Sequence, residues 1–334
     1  RPAGALPEFT FLNGRNRLFS ARMSAAQTKV PTTIDHKPHA AFFRQSGWLM
    51  IAGVVGGALT FFVHFLNKRI SDSEYSAFGV LLMVASCVPN MPLQMVFAQQ
   101  TAQALATGRE RQLGGMIRLA WLWTFILWAL ASLVVVGFEK QIAQQWQMPG
   151  VNGILVTLPL LLASLWMPLF SGVLQGRQDF FWLGWGTMLG GVVRVMLAFF
   201  FVLALHYGAA GMMAGALFGV GLTAAIAIWR SRDLWLLPAE AYDRKMLLRQ
   251  ILPLALGFGA FQFMLTSDTM FTKAYFSGDA MKPYVLAGTL ARALLWLVLP
   301  LAAVMFPKIV HSNASQQKNN LFNLVLLGTA ILSI

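Results

Sequence analysis

Arg194, Arg292, Asp268 and His64 each stand inside a long apolar run of this 334-residue sequence. A charge at the centre of a membrane helix costs about 3 kcal/mol on insertion scales, so such groups are usually functional. Arg194 lies near the middle of its run, and Arg292 lies about 12 Å, two helical turns, below the outer end of its own. Asp268 is in the outer third of its run, and His64 holds nearly the same place in the first run. Two guanidiniums facing a central cavity suit a phosphate or pyrophosphate headgroup, because the planar fork of Arg matches phosphate oxygens. Asp268 and His64 are the groups that could bind and release a coupling ion, His64 because imidazole titrates in the physiological range. The alternative is structural: Asp268 neutralises Arg292 or Arg194 and ties helices together. His206, at an outer helix end, reads as interfacial.

No enzymatic constellation accompanies these residues. The sequence has no metal-spaced cluster, no Walker A sequence and no nucleophile elbow, and its single cysteine, Cys87, reads as a small packing residue. Leu174-Gln175-Gly176-Arg177 is too sparse for a nucleotide site. The expectation is a non-enzyme that uses no metal and no cofactor.

The elements that must position these residues follow from composition. Hydrophobic residues make up 57% of the chain and charged residues 11%, against roughly 25% charged in soluble domains. That leaves too little polar surface for a soluble enzyme or a soluble nucleic-acid binder. The apolar residues run continuously instead of alternating, which argues against an outer-membrane barrel. The fold class expected is all-α, a polytopic membrane protein. The runs are Ser46–Leu66, Tyr75–Ala98, Met116–Phe138, Asn152–Leu174, Phe181–His206, Ala209–Trp229, Leu248–Phe271 and Tyr284–Phe306, with a ninth begun at Leu321. The expected layout is a polar N-terminal tail over residues 1–44, a first lobe of six spans over 45–230, an interfacial linker over 231–247, and the start of a second lobe over 248–334. The last run stops after Ile334, short of the roughly 20 residues a span needs, so the chain reads as truncated. Residues before Met23, the first methionine, read as upstream or non-native.

Lys and Arg set the orientation. With the N-terminus placed in the cytoplasm, outer segments hold only Lys68, Arg69, Lys140, Lys273 and Lys282, and the inner segments hold nearly all the other cationic residues. The net charge of +13 is then a matter of topology and not of nucleic-acid binding. Asn313-Ala-Ser315, on the inner side, is a chance glycosylation sequon.

The chain also repeats itself after the linker. Arg44-Gln45, Lys68, Tyr75 and Pro92 are echoed by Arg249-Gln250, Lys273, Tyr284 and Pro300. Bundle repeats are common in secondary transporters, with sites at the repeat interface near the midplane. Gly53/Gly57, Gly186/Gly190 and Gly211/Gly215/Gly219 are spaced by four, which predicts small helix faces for close packing. Trp48, Trp121, Trp146, Trp182, Trp229 and Trp235 suit interface belts, and Pro89, Pro92, Pro159, Pro168, Pro253 and Pro300 are candidate kinks.

Two stretches resemble a known family. Ser171-Gly172-Val173-Leu174-Gln175-Gly176-Arg177-Gln178-Asp179-Phe180, followed by Leu183-Gly184, Arg194, Gly208 and Gly211, resembles the fourth-to-sixth helix region of polysaccharide-biosynthesis exporters, the lipid-linked oligosaccharide flippases. Ser267-Asp268, Lys273-Ala274-Tyr275-Phe276, Tyr284, Arg292, Pro300 and Phe306-Pro307-Lys308 look like their seventh and eighth helices. The resemblance implies the multidrug/oligosaccharidyl-lipid/polysaccharide exporter superfamily and a two-lobe helical bundle, truncated here in the second lobe. It implies a flippase that moves a polyprenyl-linked oligosaccharide or polysaccharide precursor to the outer leaflet of a bacterial inner membrane, among membrane lipids and driven by a proton or sodium ion. It assigns substrate binding to Arg194 and Arg292 and leaves ion coupling to Asp268 and His64. The alternatives are a drug/cation antiporter of the same superfamily, which would favour acidic cavity residues, and an integral membrane glycosyl- or acyl-transferase.

Overall fold

The computed structural model describes residues 37–238, 240, 244–276 and 280–292. Residues 1–36 of the N-terminal tail with Met23, the rest of the eighth run with Pro300, Phe306-Pro307-Lys308, the Asn313-Ala-Ser315 sequon and the run from Leu321 lie outside them, while the last residues of the expected tail, from Lys37, belong to the first helix. The chain forms two compact units, Arg1–Arg44 and Gln45–Ile334, and all packing described below lies within the second.

Among the described residues every regular element is helical. The order is α1 (Lys37–Phe62), a 3₁₀ turn (Val63–Lys68), α2 (Asp72–Ser86), α3 (Asn90–Thr107), α4 (Glu110–Gly137), α5 (Glu139–Gln145), α6 (Asn152–Gly176), α7 (Phe180–Leu203), α8 (Gly208–Arg230), α9 (Arg232–Trp235) and α10 (Arg244–Tyr275). An eleventh helix, α11, covers residues 280–292. Among the described residues seven segments are long and apolar enough to cross a membrane, and they coincide with the first seven apolar runs. Their outward faces are apolar: on α4, Leu127, Leu130 and Leu133 are 62%, 59% and 72% exposed. Such a surface needs lipid around it.

Local chemistry sets the breaks. The second run divides at Cys87–Pro89, where Pro89 caps α3 and cannot continue the hydrogen-bond ladder of α2. Pro159, Pro168 and Pro253 remain inside helices. Gly108, at φ +67°, closes α3 in the left-handed conformation. Ser71 caps α2 by accepting the Glu74 amide. The Glu74 carboxylate reaches away to the N-terminus of α8, accepting the Ala209 amide at 2.6 Å.

The glycine faces are real between α7 and α8. A methyl group built on Gly219 would lie 2.5 Å from the Gly190 carbonyl oxygen and 2.7 Å from Arg194 Cβ, and one on Gly215 would lie 2.7 Å from Ala198 Cβ. Gly172 and Gly176 bring α6 equally close to the α3 backbone. The Gly53/Gly57 pair does not behave this way: nothing lies within 4 Å of either, and it is Gly56 that meets Thr187. The spacing was correct and the face was wrong, because α1 turns a different side to α7. Gly219→Ala is therefore expected to lower stability by about 1–3 kcal/mol through overpacking. Gly53→Ala should be neutral or stabilising. Thermal unfolding of the two variants in detergent checks this, and equal losses would show that the seam is not tight.

The tryptophans divide as well. Trp182 and Trp229 pack at helix ends and Trp48, inside α1, packs on Phe181 and Trp185, but Trp121 makes edge contacts with Trp166, Phe170 and Trp235 at 5.2–5.5 Å and joins a core between α4, α6 and α9.

Candidate functional site

The four ionisable groups expected to act together fall into two separate clusters. The first is built on α10 and α11. Asp268 sits late in α10, and Arg292, at the described end of α11, donates through Nη2 to its Oδ1 at 2.8 Å. The same guanidinium donates from Nε and Nη2 to the Leu265 carbonyl at 3.2 and 3.0 Å, and from Nη2 to Thr269 Oγ1 at 2.9 Å. Tyr284, two turns earlier on α11, donates its hydroxyl to Asp268 Oδ2 at 2.9 Å. Gly288 makes room, since a methyl group there would lie 2.7 Å from Arg292 Nη1. The Asp268 side chain is 44% exposed and Arg292 15%. The Asp268 carboxylate is open on one side and paired on the other. Of the two readings of this residue, pairing with Arg292 is what the geometry displays, and Arg292 is not a bare cation awaiting phosphate.

The second cluster belongs to the 3₁₀ turn, α2 and α7. Arg194 is 9% exposed on α7, with the α8 glycine face against its Cβ. Its Nε and Nη2 atoms are buried without a hydrogen-bond partner. His64, on the 3₁₀ turn, lies within electrostatic reach of Arg194. Its Nδ1 is 2.7 Å from the Tyr75 hydroxyl on α2, and Phe61, Tyr75 and Phe78 surround its ring at 5.6–6.1 Å. His64 is therefore 8% exposed, a buried histidine and not one at a wet helix end. Among the described residues no bond joins this cluster to Asp268 or Arg292. His206 is exposed at the turn between α7 and α8, with φ +55°.

Sequence reasoning missed Lys273. The apolar run ends at Phe271, which by sequence makes the lysine a cation of an outer segment, but α10 continues to Tyr275. Lys273 is fully buried and donates from Nζ to Ser76 Oγ at 2.8 Å and to the Gln147 carbonyl at 3.4 Å. Lys282, by sequence also in an outer segment, pairs with Asp72 at 2.6 Å. A polar residue just past an apolar run could have signalled this, because long Lys stems let a helix extend past its last Leu or Phe. Lys68, which the sequence alignment of the two halves sets against Lys273, is exposed, so the two positions differ in environment.

The segment Ser171–Phe180 that carried the family resemblance is explained by packing. Gly172 and Gly176 accept α3, Gln175 Oε1 accepts from Gln94 Nε2 at 3.0 Å, Arg177 pairs with Asp233 at 2.6 Å, and Asp179 with Arg230 at 3.1 Å. Among the described residues no group of His, Cys, Asp and Glu could hold a metal ion.

Solved structures share this arrangement of helices. An inward-facing multidrug resistance MATE family transporter of the MOP superfamily superposes with a TM-score of 0.62, at 14% identity, over 80% of this chain and 63% of its own. The chain carries the MATE transporter fold. A MATE in complex with Br-NRF gives 0.59 at 17% identity, over 78% of this chain and 64% of that one. A MOP superfamily transporter from Pyrococcus furiosus, described as having a binding pocket of reverse polarity that suggests a different function, gives 0.57 at 14% identity, over 77% and 62%. The chain thus spans less than two thirds of the length of these MATE-fold proteins. No family model and no curated protein matches the sequence.

Proposed function

We propose that the chain is the first lobe and the opening helices of the second lobe of a secondary-active exporter, in which a proton or sodium ion drives an amphipathic cargo across a membrane. The MATE fold supports the class. The observation that carries the coupling is Asp268, a carboxylate within a membrane-spanning helix, half open and held between Arg292 and Tyr284. A carboxylate in that setting has two states. Without an ion it holds Arg292 and accepts from Tyr284; with the coupling ion bound it releases the guanidinium and the link between α10 and α11 loosens. Ion binding and helix position are then one equilibrium.

For the cargo, the drug or organic-cation antiporter is the better reading. The similar solved structures include multidrug MATE transporters, and the cationic cavity that favoured a pyrophosphate is weakened by the pairing of Arg292 and the enclosure of Arg194. The lipid-linked oligosaccharide flippase keeps one specific support: Arg194 and Lys273 are buried cations, with Arg194 unpartnered at two nitrogens. Proteoliposomes of the full-length protein under an imposed proton or sodium gradient separate the two. Gradient-driven uptake of a lipophilic organic cation supports the antiporter, translocation of a fluorescent polyprenyl-pyrophosphate sugar supports the flippase, and neither would overturn the exporter reading.

The orientation proposed for a bacterial inner membrane is N-terminus inside. Ala209 is 3% exposed and useless as a labelling site, but Tyr207 beside it is 59% exposed and Gln178 is exposed at the other end of α7. Tyr207→Cys is expected to react with an impermeant maleimide on whole cells, and Gln178→Cys only after lysis. The reverse pattern would invert the topology.

A further inference from the structure

At the end of the bundle where α6 and α8 finish and α7 begins, Arg177, Trp229, Arg230, Arg232 and Asp233 line a cavity of about 220 Å³. Its cations are held in an unusual way. The Arg230 guanidinium lies over Trp182 at 5.1 Å and over Trp229 at 5.9 Å, and Arg232 lies over Trp229 at 5.2 Å. One indole therefore orients two guanidiniums. Stacking occupies the faces of a guanidinium and leaves its in-plane N–H edges to hydrogen bonds.

Those edges are only partly used. Asp179 takes Nη2 of Arg230 at 3.1 Å, and Asp233 takes Nη1 of Arg177 at 2.6 Å, which also donates to the Arg230 carbonyl at 3.4 Å. The Arg230 Nε is buried with no partner. Arg232 makes no ion pair with a described carboxylate. Three cations thus face two carboxylates. A net positive cavity with an open donor is left.

We propose that this cavity is a binding site for the phosphate of an anionic membrane lipid. A lipid is favoured over a soluble anion by what surrounds the cations. Trp229 and Phe181 are 50% and 57% exposed, and Trp48, Phe181, Trp182 and Trp185 form a continuous aromatic group at the same end of α7. Aromatic side chains gather where headgroups begin, so the cavity opens at headgroup level. Its acyl chains would lie on the apolar outer surfaces of α7 and α8. Basic pockets between membrane helices take lipid headgroups on this principle. The site is independent of the cargo.

The test is native mass spectrometry of the purified full-length protein in neutral detergent, titrated with phosphatidylglycerol or with phosphatidylcholine. Phosphatidylglycerol is expected to bind more tightly. Arg232→Gln, which touches no ion pair, should weaken it about fivefold, the worth of one Arg near a membrane surface. Asp233→Asn should strengthen it by a similar factor, because Arg177 is freed for the phosphate. A merely structural role for these residues would not give opposite signs. Equal affinity for the two lipids, no response to either variant, or displacement of phosphatidylglycerol by excess inorganic phosphate would each overturn the proposal, the last by making the ligand a soluble anion.

Discussion

Asp268→Asn in the full-length protein is expected to reduce gradient-driven transport at least about tenfold while leaving the fold intact. Asn keeps the shape of the side chain and an oxygen for Tyr284 and Arg292, but it cannot exchange a charge. The structural loss is limited, because the carboxylate is open on one side. Arg292 also keeps the Leu265 carbonyl and Thr269 as acceptors, so its guanidinium is not stranded. Transport is measured in proteoliposomes and stability by thermal unfolding. Full gradient-driven transport in the variant would end the coupling role. A large fall in stability would assign Asp268 to holding α10 and α11 together instead.

Continuous apolar runs of spanning length made the helices legible. Ser46–Leu66 and Asn152–Leu174 begin and end within a few residues of the spanning helices observed, because a span is defined by lipid thickness and composition alone. The place of Arg194 inside a long apolar helix was legible for the same reason. Partnership was not. Whether Asp268 faces Arg292 or Arg194 depends on how α11 crosses α10, which no local pattern encodes. Lys273 shows the limit most clearly. By sequence it is a charge past the end of an apolar run, and in the structure it is the most enclosed cation described, because Ser76 and the Gln147 carbonyl come to it from residues distant in the chain. The glycines divide similarly. Spacing by four marks a small face, but only the partner helix decides whether anything uses it, as the contrast between Gly219 and Gly53 shows.

Arg194→Met separates cost from use. Arg194 is 9% exposed, two of its nitrogens are unpartnered, and a histidine stands within electrostatic reach. Nothing in that setting repays the desolvation of a guanidinium. Replacing a buried ionic group by a well-packed hydrophobe of similar volume is often neutral, or stabilising by about 1–4 kcal/mol. Met fills the space without crowding Gly219, whereas Ala would leave a hole and confuse the result. The expected outcome is therefore an unfolding temperature equal to or above that of the parent protein, together with loss of transport. A variant that is less stable and still active would make Arg194 a packing residue. One that is more stable and still active would leave the buried charge without a role in transport, and the flippase reading would lose its specific support. Stability gained while transport is lost is the signature of a charge kept for function, and no purely structural account of Arg194 produces it.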